Sequence, residues 1–424
     1  MNSLEKLYAL YLQYPAVSTD TRNLIPNSLF FALKGDRFNA NAFSASALEN
    51  GCVYAVVDDA SVVADERYIL VDDVAKTLQD LATFHRKQLH IPVIGIAGSN
   101  GKTTSKELVN AVLSTQFKTH ATQGNLNNFI GVPLTILSTP KDAEILIVEM
   151  GANACGEVYD LCKISLPTIG LVTSLGEEHL EGFGTYEAIV ETEADLFRAV
   201  KENNGLVFVN TLFHELVERS ENQKRITFGL ENADFTGELT NNGFFVGLTF
   251  KSQNIQTQLV GDYNFGNILA ACTIGEHFNI SLENITRGLE NYVPANNRSQ
   301  LVKTEKNTLI LDAYNANPSS MEAALHSFVK LDFEKKFFVL GDMLELGEQS
   351  LVKHQELIAL TQTLGLHEGI FVGDIFQTLS SETVKTFRNA ADARDFLSKQ
   401  GFENYMFLIK GSRGIRLETA IDVL

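Results

Sequence analysis

Positive charge is scarce in this chain: 34 Lys and Arg stand against 52 Asp and Glu, a formal net charge of -18 at pH 7. A polyanion is held through a basic face that releases counterions, so nucleic acid and anionic membrane surfaces are excluded as partners. A small anionic ligand could be met only by local clusters of Lys and Arg. Cysteine is also sparse. Cys52, Cys155, Cys162 and Cys272 show no C-x-x-C spacing and are too few for a disulfide scaffold, which suits a reducing compartment and small buried side chains. No run of about 18 uncharged apolar residues occurs. Met1–Tyr14 carries Glu5 and Lys6 within an apolar periodicity rather than the core of a signal peptide. The expectation is a cytoplasmic protein with no membrane insertion. Internal repeats, low-complexity tracts and coiled-coil heptads are missing as well.

What is present is the composition of a globular enzyme, 45% hydrophobic and 20% charged, and 424 residues are too many for one core. Residues 1–90 read as a small α/β unit, with strand-like runs at Ser28–Leu33, Cys52–Val57 and Tyr68–Val71 and helical patterns at Asn41–Glu49 and Val74–Gln88. His90-Ile91-Pro92 leads into a second unit, 91–294, where strands (Ile91–Ala97, Glu144–Glu149, Ile169–Thr173, Leu206–Val209) alternate with helices (Thr104–Ser114, Asn128–Leu137, Glu157–Ile164, Tyr186–Lys201). Such alternation implies a mostly parallel sheet, with ligands gathered at the carboxyl ends of its strands. Phe235–Val260, with period-2 alternation and a turn at Asn241-Asn242-Gly243, reads as an antiparallel hairpin addition. A third α/β unit, 295–424, has strands at Thr308–Leu311, Lys336–Leu340, Gly369–Val372 and Tyr405–Ile409, and helices at Ser319–Val329, Leu351–Leu364, Ala391–Lys399 and Ile415–Ile421.

The second unit holds the sharpest signal. Gly95-Ile96-Ala97-Gly98-Ser99-Asn100-Gly101-Lys102-Thr103-Thr104 joins an apolar strand to a helix. Glycines there let backbone N–H groups converge on phosphate oxygens, the helix N-terminus favours negative charge, Lys102 offers a point charge to the β/γ-phosphates, and the Thr103 hydroxyl can hold Mg²⁺. Ile96 occupies the place of the first glycine in the usual G-x-x-x-x-G-K-[ST] spacing, so this P-loop is a short variant.

Phosphoryl transfer needs a metal, and Mg²⁺ is usually held by one or two carboxylates with hydroxyls and phosphate oxygens. Glu149, ending the strand Ile145-Leu146-Ile147-Val148, is the candidate carboxylate; plain strand termination is its bland reading. His179 lies in the Gly-bounded loop Gly176–Gly184, and Asn125-Leu126-Asn127-Asn128 is either an amide-rich site or an N-cap turn. In the first unit, Arg22, Lys34 and Arg37 either meet an anionic ligand or sit in solvated loops.

Taken together these strings resemble the Mur ligases. The resemblance is carried over nearly the whole chain by Ser18-Thr19-Asp20-Thr21-Arg22, Phe30–Gly35, Gly98–Thr104, Gly124–Pro133, Glu149–Ala152, His179–Gly184, Tyr314–Pro318, Gly341–Gly347 and Lys410–Gly414. The family's phosphate loop is short in the same way. The resemblance implies a three-domain ATP-dependent amide ligase: a uridine-diphosphate-sugar domain, a central ATP domain and a Rossmann-like C-terminal domain. It points to the branch that joins D-alanyl-D-alanine to UDP-N-acetylmuramoyl-tripeptide through an acyl phosphate, in the cytoplasmic synthesis of peptidoglycan precursors on which cell shape and division depend. A monomer is implied. Lys102 would then stabilise the moving phosphoryl group, Thr103 and Glu149 would bind a first Mg²⁺ and His179 a second, and Asn128 would lie near the reacting groups. Gly98, Asn100, Gly101 and Thr104 would complete the nucleotide cradle. Asn264 and Asn267 match the adenine-side asparagines, with Tyr263 where a His is usual, and Arg298 and Asp312 match residues that reach the phosphates and ribose. Ser18, Asp20, Arg22, Lys34, Arg37, Asn125, Asn127, Asn315 and Asn317 fall in the substrate strings.

One position departs from the family. Where its members carry a lysine that becomes carbamylated to support the second metal, this chain has Glu193 in Thr192-Glu193-Ala194-Asp195. Its carboxylate would supply the same charge without carbon dioxide; the bland alternative is a solvated helix residue. Two rivals remain: another ligase of the superfamily, and a nucleotide-binding homologue impaired in catalysis. Folylpolyglutamate synthases lack a comparable N-terminal domain, and the ligase that adds the third peptide residue carries an Asp-Asn-Pro-Arg string that is missing here.

Overall fold

The computed structural model describes residues 3–35, 38–295, 297–381 and 384–424. Arg37, a candidate anion contact, lies outside the described residues. Among the described residues three larger sheets follow one another along the chain, with a two-stranded ribbon besides.

The first is four-stranded and parallel, in the order Val17–Ser18, Leu29–Phe31, Tyr54–Val57, Tyr68–Leu70. Its helix Val74–Gln88 starts where the Asp73 side chain accepts the Lys76 N–H at 2.8 Å, and buries Val74, Leu78, Leu81 and Ala82 at helical spacing. Lys34–Gly35 and Phe38–Asn39 pair as a two-stranded antiparallel ribbon.

The central sheet has nine strands in the order Gln253–Val260, Phe245–Phe250, Phe235–Asn242, Arg225–Gly229, Leu206–Asn210, Ile169–Val172, Val93–Ala97, Ile145–Glu149, Thr119–Ala121. The strands Val93–Ala97, Ile145–Glu149 and Ile169–Val172 are buried throughout, which is why they read as unbroken apolar runs. The expected hairpin over Phe235–Val260 is instead a three-stranded antiparallel meander that prolongs this sheet, because Phe235–Asn242 also pairs in parallel with Arg225–Gly229. Leu248, Phe250 and Ile255 bury there against the helix Phe265–His277. The sequence reading assigns no helix to Phe265–His277. That helix is enclosed on nearly all sides and so lacks the one-sided period of a surface helix.

The third sheet runs Gln300–Lys303, Thr308–Asp312, Met406–Lys410, Lys336–Gly341, Gly369–Val372, Thr386–Phe387, with only its first pair antiparallel. The α-helix expected at Ile415–Ile421 is absent. Arg416, in the left-handed region at φ 58°, separates two 3-10 pieces, Arg413–Ile415 and Leu417–Val423. Among the described residues no helix is long and apolar enough to cross a membrane.

Candidate active site at the junction of the central and C-terminal sheets

The strand Val93–Ala97 leads into Gly98, and the helix Lys102–Leu113 begins four residues after that glycine, two residues before the expected Thr104 start. Two glycines make this turn possible. Gly98 has φ +120°, and a Cβ there would stand 2.4 Å from Thr173 Oγ1 and 2.8 Å from its backbone nitrogen; Gly101, at φ +81°, would collide with the Asn267 amide. Beside the turn opens a cleft of about 670 Å³, lined by Ser99–Thr104, Asn127, Asn128, Glu149, Glu178 and His179 from the central unit and by Arg298, Asp312, Tyr314, Asn315 and Lys410 from the C-terminal one.

At the floor of the cleft lies a charge cluster. Lys102 Nζ donates to the carbonyl oxygens of Gly98 and, at 3.2 Å, Ser99, and stands 3.7 Å from Glu178 Oε1. Burial opposes its charge, yet the Glu178, Glu193 and Glu149 carboxylates outweigh that penalty and hold its pKa above the ordinary lysine value. Burial raises the Glu178 and Glu193 carboxyls, the latter to about 7 despite Lys102. Glu193 is 0% exposed, and its Oε2 accepts the Gly98 N–H at 2.5 Å. The solvated-helix reading of Glu193 is thereby overturned: its helix, Tyr186–Glu202, turns this residue inward beneath the phosphate loop.

Glu149 Oε1 accepts from Thr103 Oγ1 at 3.0 Å and from Asn127 Nδ2 at 2.9 Å. Asn127, expected among substrate contacts, lines the cleft and also orients this carboxylate. Lys106, one helical turn after Lys102, is fully buried 4.0 Å from Glu149 Oε2. Glu149 Oε2, Glu178 Oε1 and Glu193 Oε1 are buried oxygens without a hydrogen-bond partner. Such orphaned acceptors fit a cation. Among the described residues no three His, Cys, Asp or Glu side chains form a ready-made metal cage.

His179 is in the left-handed region at φ 43°. Its Nδ1 meets Glu345 Oε2 of the C-terminal unit, and its Nε2 stands 3.8 Å from Glu178 Oε2. Burial lowers the imidazole pKa, but the Glu345 and Glu178 carboxylates reverse that and raise it. Asn128 spends its side-chain oxygen on the Ile130 and Gly131 N–H groups, the N-cap-like reading, while still lining the cleft. Asn125 is exposed and does not line it.

Beside the loop, Asn267 Nδ2 donates to Asn264 Oδ1 at 3.0 Å, and Asn267 Oδ1 accepts from Ser105 Oγ, tying both asparagines to the Lys102 helix. Thr104 is buried alongside. Tyr263 donates or accepts at Ser299 Oγ, 3.2 Å away, and is raised in pKa by burial. Arg298 stacks 3.9 Å from the Tyr314 ring centroid, and Asp312 Oδ2 receives Lys410 Nζ at 2.6 Å. Asn100 reaches across the junction: it donates to Ser319 Oγ at 3.0 Å and accepts from Asn317 Nδ2 at 2.9 Å. Asn317 also caps the helix Pro318–Lys330 in a reciprocal box with Ser320, and Asn315 Oδ1 accepts the Ala316 N–H.

The N-terminal candidates stand apart from this cleft. Ser18 is buried and shares a 2.9 Å hydrogen bond with Ser28; Asp20 and Arg22 form an exposed pair at 2.6 Å; Lys34 pairs with Asp58 at 2.8 Å. Glu178, Lys106, Lys410 and Glu345 are the site residues that the sequence reading does not single out. Glu178 neighbours His179 in the quoted loop, and Lys106 repeats Lys102 at helical spacing, so a signal existed for both.

Comparison with known proteins agrees with this geometry. Residues 96–275 match the family model described as Mur ligase middle domain, and residues 297–413 match the Mur ligase, glutamate ligase domain. The chain is 33% identical to the UDP-N-acetylmuramoyl-tripeptide–D-alanyl-D-alanine ligase of Bacillus subtilis, over 96% of this chain and 92% of that protein. Its structure is similar to that of MurF from Acinetobacter baumannii, with TM-score 0.86, 30% identity and coverage of 96% and 92%. It is also similar to MurF ligase from Thermotoga maritima in complex with ADP, with TM-score 0.87, 25% identity and 97% of each chain covered. With both family models matched and a relative 33% identical over 96% of its length, the chain belongs to the Mur ligase family.

Proposed function

We propose that this chain is the ATP-dependent ligase that joins D-alanyl-D-alanine to UDP-N-acetylmuramoyl-tripeptide, acting in the cytoplasm in the synthesis of peptidoglycan precursors. The observation that carries the reading is Lys102 at a helix start, between a glycine turn and two buried carboxylates, on the floor of a cleft whose other wall bears Arg298 and Asp312. A carboxylate is a poor acyl donor, and phosphorylating it supplies a leaving group. The oxygen of the tripeptide's terminal carboxylate attacks the γ-phosphorus, ADP departs, and the amine of D-alanyl-D-alanine then attacks the acyl carbon and releases phosphate.

Backbone N–H groups of Gly101–Thr104, at the start of the helix, cradle the phosphates, and Lys102 follows the transferring group. Asn264 and Asn267 hold the adenine side, while Arg298 and Asp312 meet phosphate and ribose from the C-terminal unit. Thr103, Glu149, His179 and Glu193 would hold Mg²⁺, which supplies neutralisation of charge between β- and γ-phosphates. Ser18, Asp20, Arg22 and Lys34 are proposed to receive the uridine diphosphate moiety, with residues 1–90, 91–294 and 295–424 as the nucleotide-sugar, ATP and ligase domains. Asn315, which lines the cleft, and Asn317 beside it are proposed as substrate contacts. The test is phosphate release from ATP with UDP-N-acetylmuramoyl-tripeptide, with and without D-alanyl-D-alanine. Release that requires the dipeptide is expected. Release indifferent to it would overturn the reading, and no release at all would favour a nucleotide-binding homologue impaired in catalysis.

A further inference from the structure

Glu345 belongs to the C-terminal unit, yet it touches the loop that carries His179 at two points. Its carboxylate accepts from His179 Nδ1, and its backbone carbonyl accepts the Glu181 N–H at 3.3 Å. Both partners are non-glycine residues in the left-handed region, His179 at φ 43° and Glu345 at φ 67°. Backbone strain of this kind persists only where the surroundings over-determine it. Here they do. The Glu345 loop is pinned by Met343, whose N–H donates to His354 Nε2 at 3.0 Å, by Leu344, whose N–H donates to Ser412 Oγ at 3.1 Å, and by the buried side chains of Met343 and Leu346. The Glu345 side chain itself is 59% exposed, so as a surface ion pair it contributes little to stability. Its geometry suits another task.

We propose that Glu345 is a positioning residue for His179: by holding Nδ1–H from the C-terminal unit it fixes the imidazole's tautomer and leaves Nε2 facing Glu178 and the cleft, so the site is complete only when the two units are docked. The Nε2 lone pair is what a metal or a phosphate-bound water can use, and an imidazole's orientation is commonly set by a carboxylate at its other nitrogen. The inference rests on the reading of His179 as a site residue, and its test separates the two.

Full-length protein with isotope-labelled histidine nitrogens reports the tautomer directly by NMR at a pH where the ring is neutral, the His179 signals being assigned by their loss in His179→Gln. A single Nδ1–H tautomer is expected in the wild type. Glu345→Ala is expected to give a mixture of tautomers and to raise the Mg²⁺ concentration for half-maximal rate by about 10–100-fold, with an unchanged melting temperature. Glu345→Gln, whose amide oxygen still accepts from Nδ1, retains the tautomer and most of the activity. An unaltered Nδ1–H tautomer in Glu345→Ala overturns the proposal. A changed tautomer with unchanged Mg²⁺ dependence upholds the positioning and removes His179 from the reaction.

Discussion

The carboxylate of Glu193 accepts the backbone N–H of Gly98 across a separation of 95 residues, so that the helix Tyr186–Glu202 supports the phosphate loop from below. The bond joins two functions in one side chain. One oxygen anchors the loop, and the other, without a partner, adds charge beside Lys102.

Replacing this carboxylate separates the functions. Glu193→Gln keeps an acceptor for Gly98 and loses the charge, so unfolding stability is expected to stay within about 1 kcal/mol while the Mg²⁺ requirement rises about tenfold or more. Glu193→Ala leaves the Gly98 N–H buried and unpaired, at a cost of about 1–3 kcal/mol in urea unfolding. An unchanged Mg²⁺ titration for Glu193→Gln would sink the metal-supporting role.

Because the acid is part of the side chain, removing carbon dioxide and bicarbonate from the buffer is expected to leave wild-type turnover unaltered. Glu193→Lys is expected to lose activity and to regain part of it with added bicarbonate, which can carbamylate the new amine. Turnover assays in degassed and bicarbonate-supplemented buffers check this, and a bicarbonate requirement in the wild type contradicts it.

Gly98→Ala forces a methyl group against Thr173 at a φ of +120°. We expect a loss of about 1–3 kcal/mol in stability and the disappearance of the ADP-induced rise in melting temperature. Thermal melts with and without ADP provide the measurement. An ADP shift equal to that of the wild type means the turn does not cradle phosphate.

Asn317 serves a helix cap and an inter-unit bond at once. Asn317→Asp preserves the cap oxygen and removes the amide donor to Asn100, so the melting temperature should hold while turnover falls. Asn317→Ala loses both and also costs about 1 kcal/mol of stability. Equal turnover in Asn317→Asp and the wild type would show that the Asn100 bond is incidental to docking.

Burial holds the His85 and His277 pKa values below the usual 6.5. As pH falls through about 6.5 the unfolded chain binds these protons first, so the folded state loses stability on acidification below that value and regains it above. His85→Phe is expected to flatten part of this dependence in urea titrations between about pH 5 and 7. An unchanged slope there would remove His85 as a contributor.

The Gly98–Thr104 turn was legible because everything it needs is local: a buried strand, glycines where φ is positive, and a helix start within ten residues. Asn317 was singled out only as a residue of the substrate strings, and its capping of Pro318–Lys330 emerged from the structure. The helix Phe265–His277 was not legible, since its apolar residues cover every face and leave no period to read. The bond of Asn127 to Glu149 was not legible either, because an amide in a loop carries no mark of its partner.

Chain order alone therefore settled the alternation of strands and helices, the strand ends where chemistry gathers and the P-loop itself, all of which depend on neighbours in sequence and their preferred dihedral angles. Packing decided the rest. Whether Glu193 is a solvated side chain or a buried carboxylate beneath a phosphate loop depends on what the helix faces, and so does the elevated pKa that follows from losing water. Glu178 meeting Lys102, and Glu345 meeting His179 from another sheet, are likewise matters of distance between remote segments. Coulomb interactions and desolvation act through space, and no local pattern encodes which distant groups will share a low-dielectric pocket.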